Sequence, residues 1–317
     1  MKAVFLDYAS MGPDLDLSPL QNLVEHLDVF DTTEDDQVVE RIRGSQLVFT
    51  NAIELSAEVL SAAPELAFIG LTATGTDNID LDAAGEAGIV VSNLRAYCTQ
   101  SVVEHVIGTL LMLSHNLNHY SSHVRRGGWQ QSQDGNDLVW PIREVSGLTL
   151  GIIGFGELGR GVAKAATGLG MDVVVAARPG SPTVPEGRES LAEIYRRCDV
   201  ISLHCPLDDN TRGLINADAL DAMKDNALLI NTARGALIDT AALATALSSK
   251  TIAGAAIDVL PQEPPVDGDP LLDYTGDNLI LTPHIAWGSR EARQRAIDGI
   301  TLNAAAFMRG EPQNRVA

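Results

Sequence analysis

The side chains best able to do chemistry in this chain lie in three short segments of its second half: Ile230–Gly235 (INTARG), Asp258–Pro265 (DVLPQEPP) and Leu281–Trp287 (LTPHIAW). Each segment carries one useful group. Arg234 offers a permanently charged planar fork that can clamp a carboxylate and polarise a carbonyl beside it. His284 can give or take a proton near neutral pH. Glu263 can hold one imidazole nitrogen, which fixes the tautomer and favours the charged ring. A fixed cation, a proton donor and a carboxylate behind the donor are what reduction of a 2-keto acid requires, because the carboxylate must be held while the developing alkoxide is protonated. Singly, each residue has a plainer explanation: a surface ion pair for the arginine, a solvated loop position for the glutamate, a structural role for the histidine. Their common position argues otherwise. Each segment follows an apolar run that reads as a strand, and in an open α/β sheet ligands bind beyond the carboxyl ends of the strands.

A hydride source is legible upstream. Thr149 to Gly170, TLGIIGFGELGRGVAKAATGLG, carries Gly154, Gly156 and Gly159 in the order G-x-G-x-x-G, between an apolar strand and an amphipathic helix. In that context Gly154 permits the tight turn, Gly156 lets backbone amides approach a pyrophosphate, and Gly159 lets helix and strand pack closely. The helix amino terminus then faces the anion. The next strand ends at Ala176, Ala177 and Arg178, where an acid would usually receive the ribose 2′-hydroxyl. Alanine removes repulsion against a 2′-phosphate and Arg178 can pair with one, so NADP(H) is the favoured coenzyme and NAD(H) the alternative.

The elements that must position these residues follow a βα rhythm from end to end. Strands are predicted at Lys2–Leu6, Leu47–Thr50, Ala67–Leu71 and Ile89–Val91, with helical spacing at Pro19–Leu27, Ser56–Ala62 and Leu81–Glu86. One long helix is predicted from Gln100 to about Val124. A second series follows, with strands at Thr149–Ile153, Asp172–Ala176, Val200–Leu203, Ala227–Asn231, Ile252–Asp258 and Leu279–Leu281, and a last helix at Arg290–Met308. The pattern predicts parallel sheets wrapped by helices, and 317 residues suit two domains.

Composition narrows the partners. A formal net charge of −20 repels phosphate backbones and anionic lipid, so neither nucleic acid nor membrane is expected. An anionic substrate needs a local cluster of positive groups for the same reason. Cys98, Cys198 and Cys205 are too few and too scattered for a disulfide framework or a zinc site, and no metal is expected. No apolar run reaches the ~20 residues needed to span a bilayer. The first residues read as a strand, not a signal peptide, so a cytoplasmic location is expected.

These motifs together resemble the D-isomer-specific 2-hydroxyacid dehydrogenases over nearly the whole chain, and within that family most resemble the glycerate dehydrogenases, also called hydroxypyruvate or glyoxylate reductases. Leu71–Asn93 is similar to the family's substrate loop, Ser101–Leu111 to the helix entering the nucleotide domain, and Trp140–Gly159 to the approach to the cofactor loop. The resemblance implies a hydride transfer between NAD(P)H and a small 2-keto acid, giving a D-2-hydroxy acid. It makes Arg234 the substrate-binding arginine, Glu263 the carboxylate orienting the histidine, and His284 the acid/base. It adds the backbone amides of Thr74, Gly75 and Thr76 at the substrate carboxylate and Trp287 beside the substrate. For the cofactor it implies Gly154, Phe155, Gly156, Glu157 and Leu158 at the pyrophosphate turn, and Ala177 and Arg178 at the ribose. His204, Cys205, Pro206 and Thr211 would flank the adenosine. Thr232, Ala233, Arg234, Asp258, His284 and Gly288 would sit towards the nicotinamide, with the Asp258 carboxylate accepting from the ring carboxamide.

The implied architecture is two Rossmann-like, doubly wound parallel-sheet domains with a cleft between them. Residues 1–98 with 288–317 would form a flavodoxin-like substrate domain, and residues 99–287 the dinucleotide-binding domain. A homodimer is implied, through the helix from Gln100 and the Gly127–Pro141 segment. The chain ends soon after the last helix, so the regulatory domain of longer phosphoglycerate dehydrogenases is not expected. Phosphoglycerate, lactate and 2-ketogluconate dehydrogenases of the family, phosphite oxidation and a nucleotide-sensing corepressor remain as alternatives.

Overall fold

The computed structural model describes residues 1–133 and 135–317. Contacts divide the chain into two units, Met1–Cys98 with Trp287–Ala317, and Thr99–Ala286. The first contains β1 (Lys2–Phe5), α1 (Ser18–Leu23), β2 (His26–Val29), α2 (Val38–Ile42), β3 (Leu47–Thr50), α3 (Ala57–Ser61), β4 (Phe68–Leu71), α4 (Leu81–Glu86) and β5 (Val90–Ser92). The second contains α5 (Thr99–Ser114), α6 (Leu117–Arg125), β6 (Thr149–Ile153), α7 (Glu157–Gly168), β7 (Asp172–Val175), α8 (Leu191–Arg197), β8 (Val200–Leu203), α9 (Ala217–Asp221), β9 (Leu228–Asn231), α10 (Thr240–Ser249), β10 (Gly254–Ile257) and β11 (Leu279–Leu281). The final helix, α11 (Arg290–Met308), belongs to the first unit.

The first unit is a five-stranded sheet in the order β2-β1-β3-β4-β5, every pairing parallel. That order is flavodoxin-like. Side chains alternate across it: Ala3, Phe5, Leu47, Phe49 and Phe68 enter one apolar cluster with Ile297 and Ile300 of α11, and Val4, Leu6, Val48, Ile69 and Leu71 enter another. Two covered faces explain why β3 and β4 are buried at every position and read as unbroken apolar runs. The sequence pattern gives no strand at β2, whose HLDV is the sheet edge with both end residues exposed. An edge strand keeps polar residues, and here His26 and Asp28 bond each other at 2.8 Å.

The second unit is a six-stranded parallel sheet in the order β11-β10-β9-β8-β6-β7. Strands β8, β9 and β10 are buried throughout. From β6 the chain moves to one side for β7 and to the other for β8, so the topological switch point lies between β6 and β8. The long helix predicted from Gln100 is in fact two. Asn116 takes a left-handed conformation (φ +52°) between α5 and α6, and its amide donates to the Pro141 carbonyl at 2.7 Å. Asparagine tolerates that region better than most residues, so the apolar periodicity runs on while the backbone breaks.

Candidate active site

Three neighbouring strands of the second unit deliver the catalytic candidates to one edge. Asn231, Ile257 and Leu281, at the ends of β9, β10 and β11, are in register with one another. Arg234 and His284 stand three residues beyond their strand ends, and Glu263 lies on the loop between them.

Glu263 joins two of these loops. One carboxylate oxygen accepts from the Leu260 N–H at 2.7 Å, and the other meets His284 Nδ1 at 2.5 Å. Burial acts to raise the Glu263 pKa, but the hydrogen bond and charge of His284, the Leu260 amide and the charge of Arg234 outweigh it and hold the carboxyl below the ordinary range. With Nδ1 committed to this carboxylate, Nε2 is the nitrogen of His284 that remains for substrate. It has no protein partner among the described residues.

The backbone around His284 is held unusually firmly. Its φ of +54° lies in the left-handed region, which costs a residue with a Cβ about a kcal/mol or more. Asp258, 1% exposed, supplies the compensation. Its carbonyl accepts the His284 N–H at 2.7 Å. Its carboxylate accepts from Thr282 Oγ1 at 2.5 Å, the Ile285 N–H at 2.9 Å and the Ala286 N–H at 2.8 Å. The carboxylate expected to receive a ring carboxamide is thus engaged by three protein donors in holding the turn that aims the imidazole.

Arg234 is positioned by its neighbours Asn231, Ala233 and Gly235. Asn231, fully buried, accepts the Ala233 N–H at 3.0 Å and donates to the Arg234 carbonyl at 2.9 Å. The guanidinium donates to the Ala233 carbonyl at 2.9 Å. Gly235 lets this turn press on the neighbouring loop: a Cβ there would stand 2.0 Å from the Leu260 carbonyl carbon. Any side chain at 235 would therefore move Arg234 away from the loop that carries Glu263.

The cofactor candidates divide into groups that fit a dinucleotide and groups that build the surrounding loops. Gly154 has φ +95°, and a Cβ on it would meet the Cys205 N and His204 carbonyl carbon at 2.4 Å, so the ends of β6 and β8 approach as only glycine allows. A Cβ on Gly156 would have nothing within 4 Å, which leaves room above that turn. Gly156 caps α7 without a side-chain bond, whereas Ser190, Asn216, Asp239 and Ser289 cap their helices with side-chain oxygens. The first N–H groups of α7, at Glu157 and Leu158, are thus offered to an anion. At the ends of β8 and β9, His204 Nδ1 and Thr232 Oγ1 are buried with no partner among the described residues. Buried polar atoms seek a partner, and a bound dinucleotide provides one. Burial pushes the His204 imidazole down to about 4, which keeps it neutral beside Ser202 Oγ at 2.8 Å.

The remaining members differ in what they touch. Thr211 is 2% exposed, and its hydroxyl closes the Pro206–Thr211 loop by donating to the Pro206 carbonyl at 2.8 Å and accepting from the Asp208 N–H at 2.7 Å. Glu157 accepts from the Thr99 hydroxyl. Ala177 is buried and Arg178 is exposed, with no protein partner for its guanidinium among the described residues.

Thr74, Gly75, Thr76, Trp287 and Gly288 belong to the first unit. The Thr74 hydroxyl donates to the Leu94 carbonyl at 2.8 Å and Asn93 donates to the Thr74 carbonyl at 2.7 Å, which locks the loop after β4. The N–H groups of Thr74, Gly75 and Thr76 have no protein acceptor among the described residues, as an anion-receiving turn requires. Trp287 packs 6.3 Å from the Tyr97 ring, and the Gly288 carbonyl accepts from Arg293 at 3.0 Å.

Comparison with known proteins shows the family. The family model for the D-isomer specific 2-hydroxyacid dehydrogenase NAD binding domain matches residues 107–286. The chain is 42% identical over 316 residues to the glycerate dehydrogenase of Methylorubrum extorquens, spanning 99% of this chain and 98% of that protein. It is 36% identical over 323 residues to the hydroxypyruvate reductase of Blautia hydrogenotrophica, spanning 100% and 99% of the two. Among solved structures, the NADPH-dependent glyoxylate/hydroxypyruvate reductase of Sinorhizobium meliloti in complex with citrate is similar with a TM-score of 0.83 at 27% identity, covering 100% of this chain and 97% of that one.

Proposed function

The chain belongs to the D-isomer specific 2-hydroxyacid dehydrogenase family, and from that premise we propose that it reduces hydroxypyruvate to D-glycerate and glyoxylate to glycolate, with NADPH as the preferred coenzyme. The observation that carries the reading is the 2.5 Å Glu263–His284 pair on the sheet edge that also bears Arg234. The names of the M. extorquens and B. hydrogenotrophica relatives support the substrate.

In the mechanism the nicotinamide ring, when bound, supplies the hydride. Arg234 holds the substrate carboxylate and draws electron density from the adjacent carbonyl. The amides of Thr74, Gly75 and Thr76, which have no protein acceptor among the described residues, support an anion-receiving role for the loop after β4. His284 gives its Nε2 proton to the oxygen as it becomes an alkoxide, and Glu263 balances the imidazolium charge from behind. Thr232 and His204 are the side chains assigned to the cofactor from their buried, unpartnered atoms. For NADPH the support is the lack of an acid at the end of β7, the free guanidinium of Arg178, and the NADPH-dependence named for the S. meliloti enzyme.

The test is a panel of initial rates on hydroxypyruvate, glyoxylate and pyruvate, each with NADPH and NADH. The expected result is the highest kcat/KM on hydroxypyruvate or glyoxylate with NADPH. Tight coenzyme binding with no turnover on any of them would replace this reading with a sensing role. Glu263 gives a second check. Its depressed pKa keeps it ionised at every ordinary assay pH, and its attraction for the imidazolium is mutual. Glu263→Gln removes that charge, so the alkaline fall of the reduction rate should move to lower pH while the acid side stays in place. A superimposable pH–rate profile would detach Glu263 from the proton relay.

A homodimer in the cytoplasm completes the proposal. Leu117, Val124, Trp129, Leu138, Val139 and Ile142 leave an apolar surface exposed on α6 and the segment after it, which suits a subunit contact. The three cysteines are free thiols, in keeping with reducing surroundings, and among the described residues no helix is long and apolar enough to cross a membrane.

A further inference from the structure

A single exposed arginine at the end of β7 is a weak anchor for a phosphate on a chain with a net charge of −20. The structure supplies more. Successive N–H groups of a strand point to opposite edges, so Ala176 donates to Ile152 of β6 and Ala177 donates to Glu189 on the free edge of β7, at 2.9 and 2.7 Å. Glu189 in turn donates to Val175 at 2.9 Å. Arg188 therefore begins on the outer edge of β7, level with the strand's last residue.

Its guanidinium carbon nevertheless lies 4.9 Å from the centroid of the Phe155 ring, in the glycine loop beyond β6 on the inner side of β7. The guanidinium thus meets the glycine loop near the carboxyl end of β7, and in a dinucleotide-binding sheet that strand end faces the adenosine ribose. Arg160, in the first turn of α7, places its guanidinium carbon 5.7 Å from the same ring. An aromatic face holds each fork in place without neutralising it. Neighbouring acids do not neutralise them either: Glu189 pairs with Arg197 at 2.8 Å and Glu157 takes the Thr99 hydroxyl. Among the described residues neither Arg160, Arg178 nor Arg188 has an ion-pair partner.

We propose that Arg188, stacked on Phe155 and seconded by Arg160, is the main residue that recognises the 2′-phosphate of the coenzyme, with Arg178 a lesser contributor. The proposal rests on the NADPH reading above and names the group that makes the discrimination. A phosphomonoester on the ribose gains a preorganised guanidinium, whereas a 2′-hydroxyl gains little from it.

Calorimetric titration of the full chain with 2′,5′-ADP, 5′-AMP, NADPH and NADH tests it without any turnover. Wild type should bind 2′,5′-ADP more tightly than 5′-AMP. Arg188→Ala should weaken 2′,5′-ADP and NADPH by ~10-fold or more, the worth of a charge-assisted hydrogen bond, and leave 5′-AMP and NADH nearly unchanged. Arg178→Ala should cost less than Arg188→Ala. Arg188→Gln, similar in length and uncharged, repeats the test if the shorter side chain unsettles Phe155. A variant at 188 that keeps the wild-type preference, or that weakens both nucleotides equally, overturns the role of Arg188 and leaves the NADPH reading standing. A wild type with no preference for 2′,5′-ADP overturns the NADPH reading itself, and this proposal with it.

Discussion

Replacing His284 by alanine should lower kcat for keto-acid reduction by roughly 10²–10⁴-fold, the usual worth of a positioned general acid, while the nicotinamide coenzyme still binds. The size of the expected loss follows from how much of the local structure serves this one ring. The residue is held at φ +54°, its N–H is bonded to the Asp258 carbonyl, and the flanking residues Thr282, Ile285 and Ala286 are bonded to the Asp258 carboxylate. Glu263 then fixes the tautomer by taking Nδ1, which leaves Nε2 facing outward. Alanine removes the proton donor and leaves the turn, so the defect should lie in kcat and not in folding or coenzyme affinity. Free imidazole in the assay should restore part of the rate, because it refills the space with the same acid. Near-normal turnover in the variant would take His284 out of the proton transfer.

Much of this site could be read from local sequence because its pieces are local. INTARG, DVLPQEPP and LTPHIAW each follow an apolar strand, and parallel strands in sequence order put their carboxyl ends on one edge. The glycine loop was legible for the same reason, lying between β6 and α7. What was hidden depends on partners distant in sequence. Asn231 looks like an ordinary strand end until its amide is seen locking the Arg234 turn. Asp258 invites a ligand role by its place after a strand, yet three donors from residues 282–286 engage its carboxylate. Gly235 carries no signal of its own, because the need for glycine comes from Leu260 across the loop. Arg188 sits in a polar stretch of Pro, Glu and Gly, and only the pairing of Glu189 with β7 brings it to Phe155. β2 and the break at Asn116 are hidden on different grounds: one is too polar for an apolar pattern to register, and the other interrupts the backbone without interrupting the periodicity.

Arg234→Ala should produce the second large defect, and of a different kind. A fixed cation beside a carbonyl acts twice, holding the carboxylate in the ground state and stabilising the charge that grows on the oxygen, so KM should rise and kcat should fall together. Removing one such donor costs roughly 10²–10³-fold in turnover, and the lost carboxylate clamp should carry kcat/KM lower still. The surroundings deepen the loss, because the remaining field of a chain with net charge −20 repels a keto acid, and the local cation that reverses this would be gone. Arg234→Lys restores the charge without the planar fork and should recover only part of the deficit. The position of the guanidinium should matter as much as its charge, since Asn231, the Ala233 carbonyl and the close approach at Gly235 all fix it. Steady-state kinetics on hydroxypyruvate, with coenzyme affinity measured separately, decide the matter. If Arg234→Ala weakened only the coenzyme and left KM for the keto acid unchanged, the guanidinium would belong to the nucleotide, and the carboxylate would have to be held elsewhere.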